Sequence, residues 1–161
     1  MTRTTTYETE IIVDDTVPLV RIVREFDAPP EKVFRAHADP ELFCRWNGPD
    51  GVEMRIDHYD CRTGGAYRYL IRSHGEEYGF RGCFHDVRPG ELIVQTFTFE
   101  GVPDGVALEK IVFEALDDGR TRLTATSLVD SFEGRDAFVA SGMEEGVVQG
   151  YQRLDAVLAG P

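Results

Sequence analysis

Between Val52 and Leu128, apolar and polar residues alternate with a period of two. That spacing puts successive side chains on opposite faces of a strand. Six strands are predicted there, approximately Val52–Asp60, Ala66–His74, Glu77–Val87, Leu92–Phe99, Ala107–Leu116 and Thr121–Val129. The breaks between them are short and turn-like, among them Thr63-Gly64-Gly65, His74-Gly75-Glu76 and Asp117-Asp118-Gly119. Short breaks make hairpins, and consecutive hairpins make an antiparallel meander. Val17 to Phe26 alternates in the same way, with Val20, Ile22 and Phe26 on one side. Asp27-Ala28-Pro29-Pro30 stops that strand, and Pro30 suits the first turn of a helix over Glu31 to Ala38. Asp39-Pro40 repeats the signal for a second short helix, Glu41 to Trp46.

Towards the end of the chain the period lengthens. Met143, Val147, Tyr151, Leu154 and Leu158 advance by four, four, three and four residues, which is one apolar stripe along a helix. One long helix is predicted within Ser131–Pro161. Gly142, Gly146 and Gly150 recur beside the stripe. Glycine in a helix interior costs about 1 kcal/mol relative to Ala, so the repeat predicts close approach of another backbone, or room for something bulky. The element order gives an α+β fold: seven antiparallel strands with the helices on one face. A sheet of that size twists and curls, and a curled sheet around one long helix leaves space between them.

The alternation says which side chains face that space. Tyr67 and Tyr69 oppose Arg68, and Tyr78, Phe80 and Phe84 oppose Arg81, Cys83 and His85. Gln95, Phe97 and Phe99 oppose Thr96 and Thr98, while Glu109, Ile111 and Phe113 oppose Lys110 and Glu114. The aromatic faces belong in the core and the Arg, Thr and Lys faces in water. The expected ligand-binding cavity is therefore lined by Trp46, Tyr67, Tyr69, Tyr78, Phe80, Phe84, Gln95, Phe97, Phe99, Glu109 and Phe113 from the sheet side, and by Met143, Val147 and Tyr151 from the helix. The stretch carrying Trp46, Phe43 to Gly51, is expected at its mouth. Gln95 and Glu109 are polar groups in an apolar wall, which is how small-molecule sites are commonly built. Such a wall suits a flat, mostly apolar, aromatic, polyketide-like or sterol-like molecule. Desolvation would raise the Glu109 pKa, and Glu109 is the one candidate acid or base for an enzymatic alternative.

Composition narrows the partners. The formal net charge of −12 argues against nucleic acid and anionic membrane, both of which attract clustered positive charge. No apolar run is long enough to span or insert in a bilayer. The Thr-rich residues 1–16 contain no apolar signal core, and are expected to be a frayed leader before a single domain over residues 17–161. A cytoplasmic location is expected. Cys44, Cys61 and Cys83 are odd in number and form no CxxC pair, which predicts reduced thiols. His37, His58, His74 and His85 are scattered, without the paired spacing of a metal site. No glycine-rich phosphate loop joins a strand to a helix. No metal and no cofactor are expected.

The run Arg24 to Trp46, REFDAPPEKVFRAHADPELFCRW, combines R-x-F-x-A-P, a short helix, D-P-E and a Trp. It is followed by Asn47-Gly48-Pro49, by the D-x-R-x-G-G of Asp60 to Gly65, and by the G-M-x-x-G of Gly142 to Gly146. Together these resemble the activator of heat-shock protein 90 ATPase homologue-like group of the START-like (SRPBCC) superfamily. The resemblance runs from about residue 18 to 158. It implies the helix-grip fold of the birch-pollen allergens, with a cavity between sheet and C-terminal helix. Relatives of that kind bind hydrophobic small molecules, act as polyketide cyclases or assist a chaperone. The resemblance thus points to binding of a small hydrophobic molecule and leaves a cyclase or hydratase-type enzyme, a chaperone-assisting module and a homodimer open.

Overall fold

A computed structural model describes residues 7–160. Its elements are β1 (Glu10–Val13), β2 (Leu19–Phe26), α1 (Pro30–Ala38), α2 (Pro40–Trp46), β3 (Glu53–Tyr59), β4 (Ala66–Ser73), β5 (Glu76–Arg88), β6 (Leu92–Phe99), β7 (Ala107–Ala115), β8 (Thr121–Leu128), α3 (Phe132–Ala140) and α4 (Met143–Ala159). The strands form one antiparallel sheet in the order β1-β2-β8-β7-β6-β5-β4-β3. The meander is continuous from β3 to β8, and β2 closes against β8 with Leu19 opposite Leu128 and Phe26 opposite Thr121.

The sheet has eight strands where seven were expected. The additional strand is β1, in the stretch expected as a leader: Glu10 to Val13 pairs with Val20 to Val23. Its four residues are too short for periodicity to register, and the free edge of β2 recruits them through backbone hydrogen bonds. Residues 1–6 of the expected leader lie outside the described residues. The expected single C-terminal helix is two. Gly142 takes φ 89° between α3 and α4, a left-handed conformation that glycine adopts without steric cost. Ser131 caps α3 by accepting from the Gly134 N–H at 3.0 Å.

The other two glycines of the repeat are explained by the chain between α2 and β3. A Cβ on Gly150 would lie 3.0 Å from the Trp46 carbonyl oxygen, and one on Gly146 3.6 Å from Pro49. The loop therefore lies directly on α4. Arg153 secures it, donating to the carbonyls of Trp46 (3.0 Å) and Gly48 and pairing with Asp50, while the Asp50 N–H donates to Gln149 Oε1 at 2.7 Å.

The C-terminal half of α4 seats on the concave face, where Tyr151, Leu154 and Leu158 are buried against Phe26, Val33, Phe34, Phe113 and Leu123. At its edge Arg24, only 1% exposed, forms a bidentate pair with Asp155 at 2.6 and 2.9 Å and donates to the Glu25 carbonyl at 2.7 Å. Its guanidinium also lies 4.8 Å from the Phe26 ring centroid. Removing one partner of a buried pair strands the other charge, at a cost of about 3–5 kcal/mol. Asp155→Ala is therefore expected to lower unfolding stability by that amount in urea titration followed by circular dichroism. Arg24→Met with Asp155→Leu is expected to recover most of the loss, because no unpaired charge is then buried.

Candidate functional site

The concave face divides into two zones. In the first, towards β3–β5 and the short helices, the aromatic side chains fill the space themselves. Tyr67 and Tyr69 stack with ring centroids 6.0 Å apart, Tyr67 meets Phe84 at 5.2 Å, and Tyr69 meets Phe80 at 5.4 Å and Phe43 at 5.5 Å. Trp46 is not at a mouth. It is 5% exposed at the end of α2, donates from Nε1 to the Ala36 carbonyl at 2.8 Å, and packs against His37 and Tyr151. Its indole fills the interior, and the loop after it lies against α4.

The tyrosine hydroxyls in this zone are largely committed. Tyr67 donates to the Thr96 carbonyl at 2.6 Å, crossing above Gly82, where a Cβ would overlap both that carbonyl oxygen and the Tyr67 ring. Tyr59 is an inner-face residue that sequence inspection passed over, and it donates to the His37 carbonyl at 2.6 Å. Tyr78 does not line the interior. It is 36% exposed beside the β4–β5 turn and donates to Glu76 Oε2 at 2.7 Å. The chain is bending around the two-residue turn His74-Gly75, both with positive φ, so parity alone overstates burial there.

In the second zone, over β6, β7, β8 and β2 and facing the N-terminal half of α4, the inner side chains are only half-buried. Ile22, Gln95, Phe97, Phe99, Glu109, Ile111 and Ala125 lie on the sheet, and Met143 and Val147 of α4 are half-buried as well, Val147 packing against the core. One row of this face is polar. Gln95, Glu109 and Ser127 are directly opposite one another on β6, β7 and β8. Gln95 Nε2 donates to Glu109 Oε1 at 3.1 Å. Part of the Glu109 surface stays accessible in the cleft, yet its surroundings enclose the carboxyl densely enough that desolvation raises its pKa, against smaller opposing effects of Gln95 and Ser127. The Ser127 hydroxyl is buried beside the carboxyl, in a residue 8% exposed, at a distance too long for an ordinary hydrogen bond yet close enough to favour the ionised form.

The periodicity foretold Gln95 and Glu109 and missed Ser127. Its parity matches Leu123 and Ala125, which was the available signal. Arg24 shares the parity of Ile22 and Phe26, a cue to its buried pairing that also went unread.

Two surface recesses lie away from these residues. One of about 570 Å³ lies between Tyr7–Glu10 and Val23–Glu25 with Arg122, and one of about 190 Å³ lies beneath the Asn47–Gly51 loop against Cys44, Met54 and Arg153. Cys83 and His85 are exposed on the outer face, and Cys61 has its thiol pushed up to about 12 by burial, a protonated and unreactive state at neutral pH. Among the described residues no group of His, Cys, Asp and Glu is placed to hold a metal ion, and no helix is long and apolar enough to cross a membrane.

A curved antiparallel sheet wrapped on a C-terminal helix, with two short helices after its first long strand, defines a helix-grip protein. Residues 27–159 match the family described as "Activator of Hsp90 ATPase homolog 1-like protein", and the chain belongs to that family. Solved structures share the fold. Protein Ms6760 from Mycobacterium smegmatis superposes with TM-score 0.85 at 25% identity, covering 93% of this chain and 96% of that one. A protein from Arthrobacter aurescens, solved by NMR, gives 0.85 at 27% identity, with 94% and 92% covered. Protein CV1439 from Chromobacterium violaceum gives 0.77 at 28% identity, with 89% and 99% covered. None of the curated proteins matches.

His37 makes the interior sensitive to acid. Its Nδ1–H donates to the Val33 carbonyl at 2.8 Å, and burial lowers its pKa to about 4. The unfolded chain takes up this proton near the ordinary value of about 6.5. Between these values the unfolded state binds more protons, so the contribution is complete above about pH 6.5 and is lost as the pH falls towards 4. Wild-type stability is expected to drop by up to about 3 kcal/mol over that interval, and His37→Gln to flatten the drop, as measured by urea unfolding at a series of pH values.

Proposed function

We propose that the chain binds a small, mostly apolar molecule in the cleft between strands β6, β7, β8 and β2 and the N-terminal half of α4. The observation that carries this is the half-burial of Ile22, Phe97, Ile111, Ala125 and Val147 around the polar row of Gln95, Glu109 and Ser127. Apolar side chains that a well-packed interior would cover retain surface for a guest, and a few polar groups stand among them to orient it. Family membership supports a binding or helper role. The aromatic zone of Tyr67, Tyr69, Phe84 and Trp46 then serves as a rigid wall, since its members already occupy one another's space. Burial supplies most of the affinity, at about 25 cal/mol per Å² of apolar surface.

A second reading, a chaperone-assisting or other protein-interaction module, has its own support on the outer face. There Leu108, Val112 and Leu128 are exposed, with Leu108 directly opposite Leu128. The two readings part in one experiment. In a thermal-shift and native mass-spectrometry screen, flat aromatic and polyketide-like compounds are expected to raise Tm by about 5 °C or more at saturation. Ala125→Trp, which fills the cleft, is expected to weaken the best of them at least about tenfold with the circular dichroism unchanged. Responses to aliphatic acids alone, or affinity unaltered in the Trp variant, would sink the cleft reading and leave the outer face ahead.

A further inference from the structure

The outer face of the sheet carries an assignment of partner chemistry, which rests on the outer-face reading above and is independent of the cleft on the opposite side. The strand register lays this face out in rows. Leu19, Leu128 and Leu108 stand side by side on β2, β8 and β7. Arg21, Thr126 and Lys110 form the next row, and Val23, Thr124 and Val112 the one after. Leu108, Val112 and Leu128 are 40%, 44% and 37% exposed, and Arg21 and Lys110 are exposed as well. Thr124 and Thr126 are short, so β8 forms the floor of a shallow trough between the longer side chains of β7 and β2.

The two cations in this trough are left over. The chain carries a formal net charge of −12, so carboxylates are in excess over cations. One row further, Arg122 is answered by Glu25 and Glu114 at 3.6 and 3.7 Å and Arg120 by Glu25 at 3.1 Å, whereas among the described residues Lys110 and Arg21 have no ion-pair partner. The carboxylates around them are engaged or at the rim. Asp86 of β5, in the same row as Lys110, is spent on Arg88 at 2.9 Å. Asp14 is held low mainly by the hydrogen bonds it accepts from Thr16 and Val17, and the pull of Arg21 on it is minor. Glu10 of β1 ends the row beyond Val23. Unpaired cations among exposed apolar side chains, on an otherwise acidic surface, complement negative charge brought by another molecule.

We propose that this trough docks an acidic amphipathic helix of a partner protein. Lys110 and Arg21 stand on either side of β8, two strand spacings or about 10 Å apart, and a helix with its side chains is about 10 Å across. Laid along β8, its apolar stripe meets the leucine row at one end and Val112 and Val23 at the other. Carboxylates on its two flanks reach Lys110 and Arg21. An anionic membrane or a nucleic acid is disfavoured, since two cations do not offset the field of a chain at −12. A second copy docking face to face would set the same two cations against their own kind, and a basic helix would be repelled in the same way.

The test selects helical peptides against the purified chain from a phage-displayed library on one scaffold. The apolar stripe is fixed and the flanking positions vary among Glu, Gln, Lys and Ser. Glu is expected to be enriched on both flanks. In fluorescence anisotropy the selected peptide is expected to bind at least about tenfold tighter than its counterpart with Gln at every flank. That advantage is expected to shrink as salt rises from about 0.05 to about 0.5 M. Lys110→Glu combined with Arg21→Glu is expected to turn the preference to Lys flanks with the circular dichroism unchanged, because neither side chain has an ion pair to lose. Ala125→Trp, on the opposite face, is expected to have no effect.

Equal binding of the Glu and Gln peptides overturns the charge assignment and leaves an apolar docking face. Enrichment of no peptide overturns both. Binding that Ala125→Trp abolishes and the double variant leaves intact puts the peptide in the cleft and overturns the proposal. Sedimentation of the free chain as a dimer that Leu128→Asp dissociates overturns it in favour of a second copy. Binding of phosphatidylserine vesicles that the double variant loses overturns it in favour of a membrane contact.

Discussion

A guanidinium at 1% exposure is tolerable only where its charge is answered, and Arg24 is answered by a bidentate pair with Asp155, its Nε alone having no partner among the described residues. The pair ties β2 to the C-terminal half of α4 and so sets where the helix crosses the sheet. With that contact in place, Tyr151, Leu154 and Leu158 fall onto Phe26, Phe113 and Leu123. One turn earlier Gly150 comes against the chain leaving α2, close enough for Arg153 to bind its carbonyls. Asp155 and Arg153 lie in the second half of the helix, while Gly146, Gln149 and Gly150 carry the loop contact into the first. Towards the start of the helix Met143 and Val147 are half-buried, and Glu144 and Glu145 are exposed.

The two zones of the concave face differ in what their side chains can do for each other. Phenylalanine, tyrosine and tryptophan rings fill volume and meet edge to face or offset, so the zone around Tyr67, Tyr69, Phe84 and Trp46 packs on itself. The hydroxyls it buries are disposed of locally, Tyr67 to a carbonyl of β6 and Tyr59 to a carbonyl of α1. In the row of Gln95, Glu109 and Ser127 the side chains are shorter and polar. They cannot fill the space beneath α4, and only one hydrogen bond joins them.

The alternation in the sequence was enough to identify the six strands of the meander, the first long strand and the two proline-led helices, because each stretch spans several periods and ends at a Gly, Pro or Asp signal. The same parity placed Gln95 and Glu109 inward. It failed where an element is too short or a chain bends. Four residues, Glu10 to Val13, carry no usable period and become a strand only because β2 offers an edge. Tyr78 has inward parity but sits beside a tight turn, and solvent reaches it. The C-terminal stripe was legible, but Gly142 could be read equally as a tolerated helix glycine or as a break, and local sequence does not distinguish the two.

What the sequence determined by itself was the set of faces: which residues of each strand and helix turn inward, and hence that aromatic rings, one amide and one carboxyl share the interior. That follows from backbone periodicity, which is local. The tertiary structure alone decided which of those inward groups satisfy one another. The Tyr67 hydroxyl is consumed by a strand two places away in the sheet, Trp46 becomes core, Arg24 finds its partner 131 residues along the chain, and Ser127 is enclosed beside Glu109. Hydrogen bonding and packing are pairwise and depend on distances that periodicity does not contain, so the difference between a filled interior and an open cleft appears only when the helix is set on the sheet.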